Sequence, residues 1–260
     1  MIIYLLIFIL GVCVGSFLNV VIFRLHSGEK IVNSRSHCSH CQKTLGAREL
    51  IPLLSFVIQG GRCRHCRKKI SWQYPLVELV TGLLWLLAAY RLAGVYPQLL
   101  LVDFHLGLFW LRDAFFVAIL VVVFVYDLKW LLILDRVMIV GIIGAVIFNL
   151  FLGVGLWSLA IGALVGLGFF ALQFFVSRGR WIGGGDLRLG FLLGLMVGWP
   201  NIITALFLSY IVGAIVSVLL LIFKKKNFNS AIPFGTFLSV GAVITLFWGE
   251  RIINWYLSLF

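Results

Sequence analysis

Eight long apolar stretches divide this chain, at about 1–23, 76–92, 109–126, 132–153, 156–177, 187–200, 201–223 and 233–249. Their lengths approach that of a helix crossing a bilayer. Hydrophobic residues make up 62% of the 260 and mean hydropathy is +1.12. No ordinary soluble domain needs so much apolar surface, so the chain reads as an all-α polytopic membrane protein of about eight transmembrane helices. The sixth stretch is short and meets the seventh through a Gly-Trp-Pro-Asn turn at 198–201. The second and third are also short and flank 93–108, a candidate re-entrant loop. No internal repeat or low-complexity tract is evident. The first stretch lacks a basic leader and a small-residue cleavage site before Arg24. It carries Gly11, Gly15, Ser16 and Asn19, which suit helix packing, and is read as a retained span.

The charge pattern orients these spans. The formal net charge of +12 would suit nucleic acid, but the basic residues sit in short loops, as the positive-inside rule requires. If the one long polar stretch, 24–75, is cytoplasmic, alternation makes 127–131, 178–186 and 224–232 cytoplasmic too. Eighteen of the 21 Lys and Arg then lie inside, leaving Arg91, Arg112 and Arg251 outside. Nucleic acid is not an expected partner; membrane lipids are. The expected domains are a first span at 1–23, a cytoplasmic segment at 24–75 and a membrane domain at 76–260.

Segment 24–75 carries Cys38-Ser-His-Cys41 and Cys63-Arg-His-Cys66, with 21 residues between the pairs. Two such knuckles gather four thiolates around one tetrahedral zinc ion. A small basic segment with little core gains folding free energy from that site. Free thiols or disulfides are the alternatives, and a reducing cytoplasmic face argues against disulfides. His37, His40 and His65 are read as neighbours of the site, and Cys13 as a packing residue of the first span.

Asp127 closes the apolar run Val125-Tyr-Asp127, and Asp186 closes Gly183-Gly-Gly-Asp186. A carboxylate at the edge of hydrocarbon is costly, which makes function the default reading. The orientation places both at one membrane face. Aspartic proteolysis needs two carboxylates that share a proton, one activating water and the other donating to the scissile carbonyl. Glycines 183–185 let a backbone approach an extended peptide closely. Structural alternatives remain. Asp186 would serve as N-cap of a helix starting at Leu187. Asp127 has no such use, because a helix C-terminus disfavours an anion. Asp135 is the rival for a place in the dyad, or a salt-bridge partner beside Arg136. A transporter or channel with ion-binding acids would place them near the bilayer midplane instead of at helix ends.

The motifs together resemble the type 4 prepilin peptidases, the bifunctional leader peptidase/N-methyltransferases. The resemblance rests on Gly15-Ser-Phe-Leu-Asn-Val-Val-Ile-Phe-Arg24, Ser36-His-Cys-Ser-His-Cys41, Leu50-Ile-Pro-Leu-Leu-Ser-Phe56 and Gly61-Arg-Cys-Arg-His-Cys66. It continues in Ile70-Ser-Trp-Gln-Tyr-Pro-Leu-Val-Glu-Leu79, Tyr126-Asp127, Gly183-Gly-Gly-Asp186 and Ile232-Pro-Phe-Gly235. The Tyr-Asp and Gly-x-Gly-Asp elements are also similar to those of presenilin-type intramembrane proteases, which lack the four-cysteine loop.

This resemblance implies that Asp127 and Asp186 are the catalytic pair. It implies cleavage of a short basic leader from prepilins or pseudopilins at the cytoplasmic face of the bacterial inner membrane. It also implies methylation of the new N-terminus with S-adenosylmethionine, for which no residues are assigned. Glu29, Glu49 and Glu78, or anionic headgroups, are the counter-charges available to a basic leader. Two departures stand out. Ile133-Leu-Asp135 replaces the family's Ile-Pro-Asp, which puts loop 128–134 in question, and Cys-Ser-His-Cys replaces Cys-Pro-x-Cys.

Overall fold

The computed structural model describes residues 2–32, 35–224 and 232–259. Lys225 and Lys226 of the charge count lie outside them. Regular structure among the described residues is helical, apart from two isolated β-bridges. The chain forms two compact units, Met1–Trp110 and Leu111–Phe260.

The first unit is built on α1 (Ile2–Ser27) and α3 (Gln73–Ala93), packed antiparallel. Small residues let them approach. A methyl group on Gly11 would meet Gly82 Cα at 2.8 Å, and one on Gly15 would meet Glu78 Cα at 2.7 Å. Asn19 is buried at the same seam, donating to the Gly15 and Tyr74 carbonyls and accepting from Gln73. Between them lie a 3-10 turn (Ala47–Glu49) and the short α2 (Leu54–Ile58). The suspected re-entrant loop holds the four-residue α4 (Leu99–Val102). The long α5 (Phe104–Trp130) begins in this unit and continues into the second.

The second unit adds α6 (Asp135–Phe151), α7 (Leu156–Ser177), α8 (Gly184–Val197), α9 (Asn201–Ile222) and α10 (Phe234–Leu257). α8 lies innermost, with Leu189, Leu192 and Leu193 wholly buried. Glycines set its antiparallel contact with α7: a methyl on Gly194 would meet the Gly162 oxygen, and one on Gly190 the Gly166 oxygen at 2.6 Å. α9 and α10 are antiparallel as well, since Gly213 faces Phe237, Gly241 faces Ser209 and Gly249 faces Asn201.

Eight spans were expected, and six helices are long and apolar enough to cross a bilayer: α1, α3, α5, α7, α9 and α10. α6 has 17 residues and α8 has 14. At about 1.5 Å per residue, α8 falls short of the roughly 30 Å hydrocarbon core. Several boundaries moved, the start of α5 among them, at Phe104 and not 109. α5 runs past Asp127 to Trp130, α10 runs past 249 to Leu257, and α8 starts at Gly184 and not after Asp186. The loop put in question by the missing proline shortens to 131–134. Leu131 breaks α5 with a positive φ of 52°, and Leu134 enters α6 in extended conformation without proline's help.

The register of these pairs sets a depth. The α7–α8 contacts align Asp186 with residue 170, seven residues before Ser177 ends α7. The α9–α10 contacts align Gly235 with residue 215, seven residues before Ile222 ends α9. α7 and α9 therefore project about 10 Å beyond the levels of Asp186 and Gly235.

Candidate active site and thiolate cluster

Asp127 sits in the last turn of α5 and is only 5% exposed. Its Oδ2 accepts the Thr236 backbone N–H at 2.8 Å and the Thr236 hydroxyl at 3.3 Å. Thr236 lies in the first turn of α10, where N–H groups have no partner within the helix. The positive end of α10 thus offsets the unfavourable C-terminal end of α5. Asp186 lies in the first turn of α8. Its Oδ2 accepts the Gly183 N–H at 3.1 Å, and its own N–H returns a bond to the Gly183 carbonyl at 3.1 Å. Asp186 is thus a first-turn residue and not the N-cap of a helix at Leu187; that N-cap is Gly183.

Ile133 brings the two helix starts together. A methyl on Gly185 would lie 2.9 Å from Ile133 Cβ, and one on Gly235 would lie 3.1 Å from both Ile133 Cδ1 and Asp127 Oδ2. The chain returns to this end twice, once through α6 and α7 and once through α8 and α9. Asp127 and Asp186 come within electrostatic reach of each other. Asp135 stands apart, largely exposed, in an ion pair with Arg188 of α8 and not with its neighbour Arg136. The sequence offered Ile232-Pro-Phe-Gly235 without a role and Ile133 only as part of a departure from the family's loop, and did not single out Thr236. The run of glycine and threonine at a helix start was the available signal.

The four cysteines form the second constellation. All four Sγ atoms lie within 4.8 Å of one another, and Cys38 and Cys66 are 3.9 Å apart. Zinc–sulfur bonds of about 2.3 Å in a tetrahedron require sulfurs about 3.8 Å apart, so the donors fit zinc with small adjustment. The two knuckles repeat the same backbone bonds at an offset of 25. Cys38 N–H bonds the Lys43 oxygen as Cys63 N–H bonds that of Lys68, and Gln42 and Arg67 share positive φ angles of 58° and 60°. This is a short internal repeat, Ser36–Leu45 and Gly61–Ile70, that the sequence reading missed.

Electrostatics at the cluster favour a cation. Burial acts to raise the Cys38 thiol, but the Cys41 and His40 amides and the Cys63 and Cys41 sulfurs outweigh it and bring it down to about 7. The Lys68 amide acts to lower Cys66, but burial and the other three sulfurs hold it up at about 11. The Cys38 thiolate forms readily while the Cys66 proton resists leaving, a conflict that a bound divalent ion removes. The acids considered as counter-charges have partners of their own. Glu49 accepts the Gly46 N–H, which holds its carboxyl below the usual range, and faces His65 at 3.4 Å. Glu78 is buried and accepts the Leu53 N–H at 2.8 Å, while Glu29 lies 4.0 Å from His37.

Comparison with known proteins places this arrangement. The Bacterial Peptidase A24 N-terminal domain matches residues 9–92, and the Type IV leader peptidase family matches residues 114–218. A prepilin leader peptidase/N-methyltransferase of Aeromonas hydrophila is 33% identical over 98% of this chain and 94% of its own length. The chain belongs to the type IV leader peptidase family. Proteins of the same name from Legionella pneumophila and Bacillus subtilis are 33% and 29% identical, each over 98% of this chain and 94% and 98% of their own. No solved structure matches. The leader-peptidase region at 114–218 contains both aspartates, whereas Gly235 and Thr236, which cradle Asp127, lie beyond it.

Proposed function

We propose that this membrane protein is a prepilin leader peptidase that cleaves a basic leader with Asp127 and Asp186 as its dyad, then methylates the new N-terminus. The observation that carries the peptidase reading is the meeting of α5, α8 and α10 at Ile133, with both carboxylates beside it. One aspartate, ionised, takes a proton from water as the oxygen attacks the scissile carbonyl carbon. The other, protonated, donates to the carbonyl oxygen. Collapse of the tetrahedral intermediate breaks the C–N bond. The departing amine takes up a proton, and the leader leaves as a carboxylate.

The charge asymmetry, with eighteen of 21 basic residues assigned inside, supports a cytoplasmic dyad in the bacterial inner membrane. Prepilin substrates follow from the relatives' names, and the proposal extends to pseudopilins with the same kind of leader. In this reading Cys38, Cys41, Cys63 and Cys66 hold a structural zinc ion that closes the two knuckles. S-adenosylmethionine supplies an electrophilic methyl group for the new amine, and no residue of this chain is assigned to it. Membrane lipids surround the protein. The test is purified protein with a prepilin, wild type against Asp186→Asn, read by mass spectrometry. Loss of leader removal is expected. Full cleavage by the variant would overturn the dyad.

A further inference from the structure

Along α7 and α9, on either side of the level of the aspartates, the side chains are almost all apolar. From Leu159 to Val176, α7 carries one polar side chain, Gln173. From Ala205 to Ile222, α9 carries Ser209, Tyr210 and Ser217. Both serines donate to carbonyls of their own helix, at 2.6 Å each. Tyr210 instead donates across to Gln173 Oε1 at 2.9 Å, joining α9 to α7. A partly exposed polar pair on a hydrocarbon-facing surface is costly, which makes function the default reading.

The pair is held at the dyad. The Tyr210 ring stands perpendicular to Phe169 at 5.7 Å and packs on Phe234 at 5.0 Å. Phe234 directly precedes Gly235, whose backbone abuts Asp127. Asp186 lies within electrostatic reach of the phenol. One Gln173 N–H makes a long 3.3 Å bond to the Phe169 carbonyl. The other N–H and the phenol lone pairs have no bond to another described residue. Together they offer one donor and one acceptor, which is the complement of a peptide unit.

We propose that Gln173 and Tyr210 are substrate-positioning residues that bind the backbone of the extended peptide beside the scissile bond. The Gln173 amide donates to a peptide carbonyl and the Tyr210 oxygen accepts a peptide N–H. Rings on two sides, Phe169 and Phe234, hold the pair in place, so the contact fixes which bond faces the aspartates. Exposed apolar side chains near it in sequence, Leu172 and Val176 on α7 and Ile215 and Val218 on α9, suit the substrate's apolar helix. This inference rests on the dyad reading above.

The test uses full-length protein in lipid nanodiscs with a prepilin, comparing Tyr210→Phe, Gln173→Leu, the double variant and Asp186→Asn. The readouts are kcat, KM, the position of cleavage and the thermal midpoint. Each single variant is expected to lose about tenfold in kcat/KM, chiefly through KM, with secondary cleavage sites and an unchanged midpoint. The double variant should lose little more than either single one, since the two act as a unit. Wild-type kcat/KM with a single product would overturn the proposal. So would a loss of activity that tracks a falling midpoint, which marks a purely structural tie. Cleavage abolished in Asp186→Asn but normal in the pair variants would reject this inference alone. Full activity of Asp186→Asn would reject the dyad, and this inference with it.

Discussion

Thr236 donates its backbone N–H to Oδ2 of Asp127 at 2.8 Å, joining the first turn of α10 to the last turn of α5. The bond explains how a carboxylate persists where its own helix disfavours it. The amide has no competing partner within α10, and it comes from the helix end that attracts anions. A hydrogen bond to a charged group contributes roughly 1.5–3 kcal/mol, so losing it should move Asp127 out of place. Thr236→Pro removes the N–H at a first-turn position where proline costs a helix least. It should lower kcat/KM for leader cleavage at least about tenfold with the protein still in the membrane. Thr236→Val removes only the longer hydroxyl contact and should stay within a few-fold of wild type.

The aspartates were visible in the sequence as misplaced charges, but their meeting was not. It depends on Ile133, Gly185 and Gly235, which are far apart in the chain and individually ordinary. Helix bounds were legible where glycine punctuates, as at Gly155 before α7 and, after it, at Arg178 and Gly179, whose φ angles are positive. They were misread where charge was taken for an end. α5 continues through Asp127 because nothing stops it before Leu131, and α10 carries Glu250 and Arg251 within its length. The depth of the dyad was not legible at all, because it follows from how glycines register α7 on α8 and α9 on α10.

That close contact at Ile133 gives a second prediction. Alanine at 185 would put a methyl 2.9 Å from Ile133 Cβ, an atom fixed to the backbone. The first turn of α8 would have to shift, carrying Asp186 with it. Overpacking of this kind costs about 1–3 kcal/mol. Gly185→Ala should lower leader cleavage more than tenfold by displacement of the carboxylate (about 1.4 kcal/mol). Gly184→Ala, where a methyl meets nothing within 4 Å, should be nearly silent. Paired cleavage assays of the two variants decide the matter.

The knuckles predict the metal content. Four sulfurs within 4.8 Å of one another should bind about one zinc ion per chain, measurable by elemental analysis of the purified protein. Replacing Cys38 and Cys41 together by serine should abolish binding, because one knuckle supplies only half the tetrahedron. Chelation should loosen segment 24–75, seen as faster proteolysis between α1 and α3, and zinc should restore protection.

Asp135 and Arg188 supply the last prediction. Their ion pair links the start of α6 to the second turn of α8, two residues past Asp186, which suggests a brace for the dyad. Exposure argues that the brace is weak: the side chains are 61% and 55% exposed, and pairs of that kind contribute about 0–1 kcal/mol. Asp135→Asn should therefore reduce cleavage by no more than a few-fold, whereas Asp127→Asn should abolish it. Arg188→Asp alone should cost more than Asp135→Asn, because two acids would then face each other beside the dyad. Combining it with Asp135→Arg should recover most of the loss. A swap that recovers nothing would show that Arg188 acts on the substrate or the dyad by a route other than Asp135. Abolition of cleavage by Asp135→Asn, with Asp127→Asn still active, would exchange the roles assigned to the two aspartates.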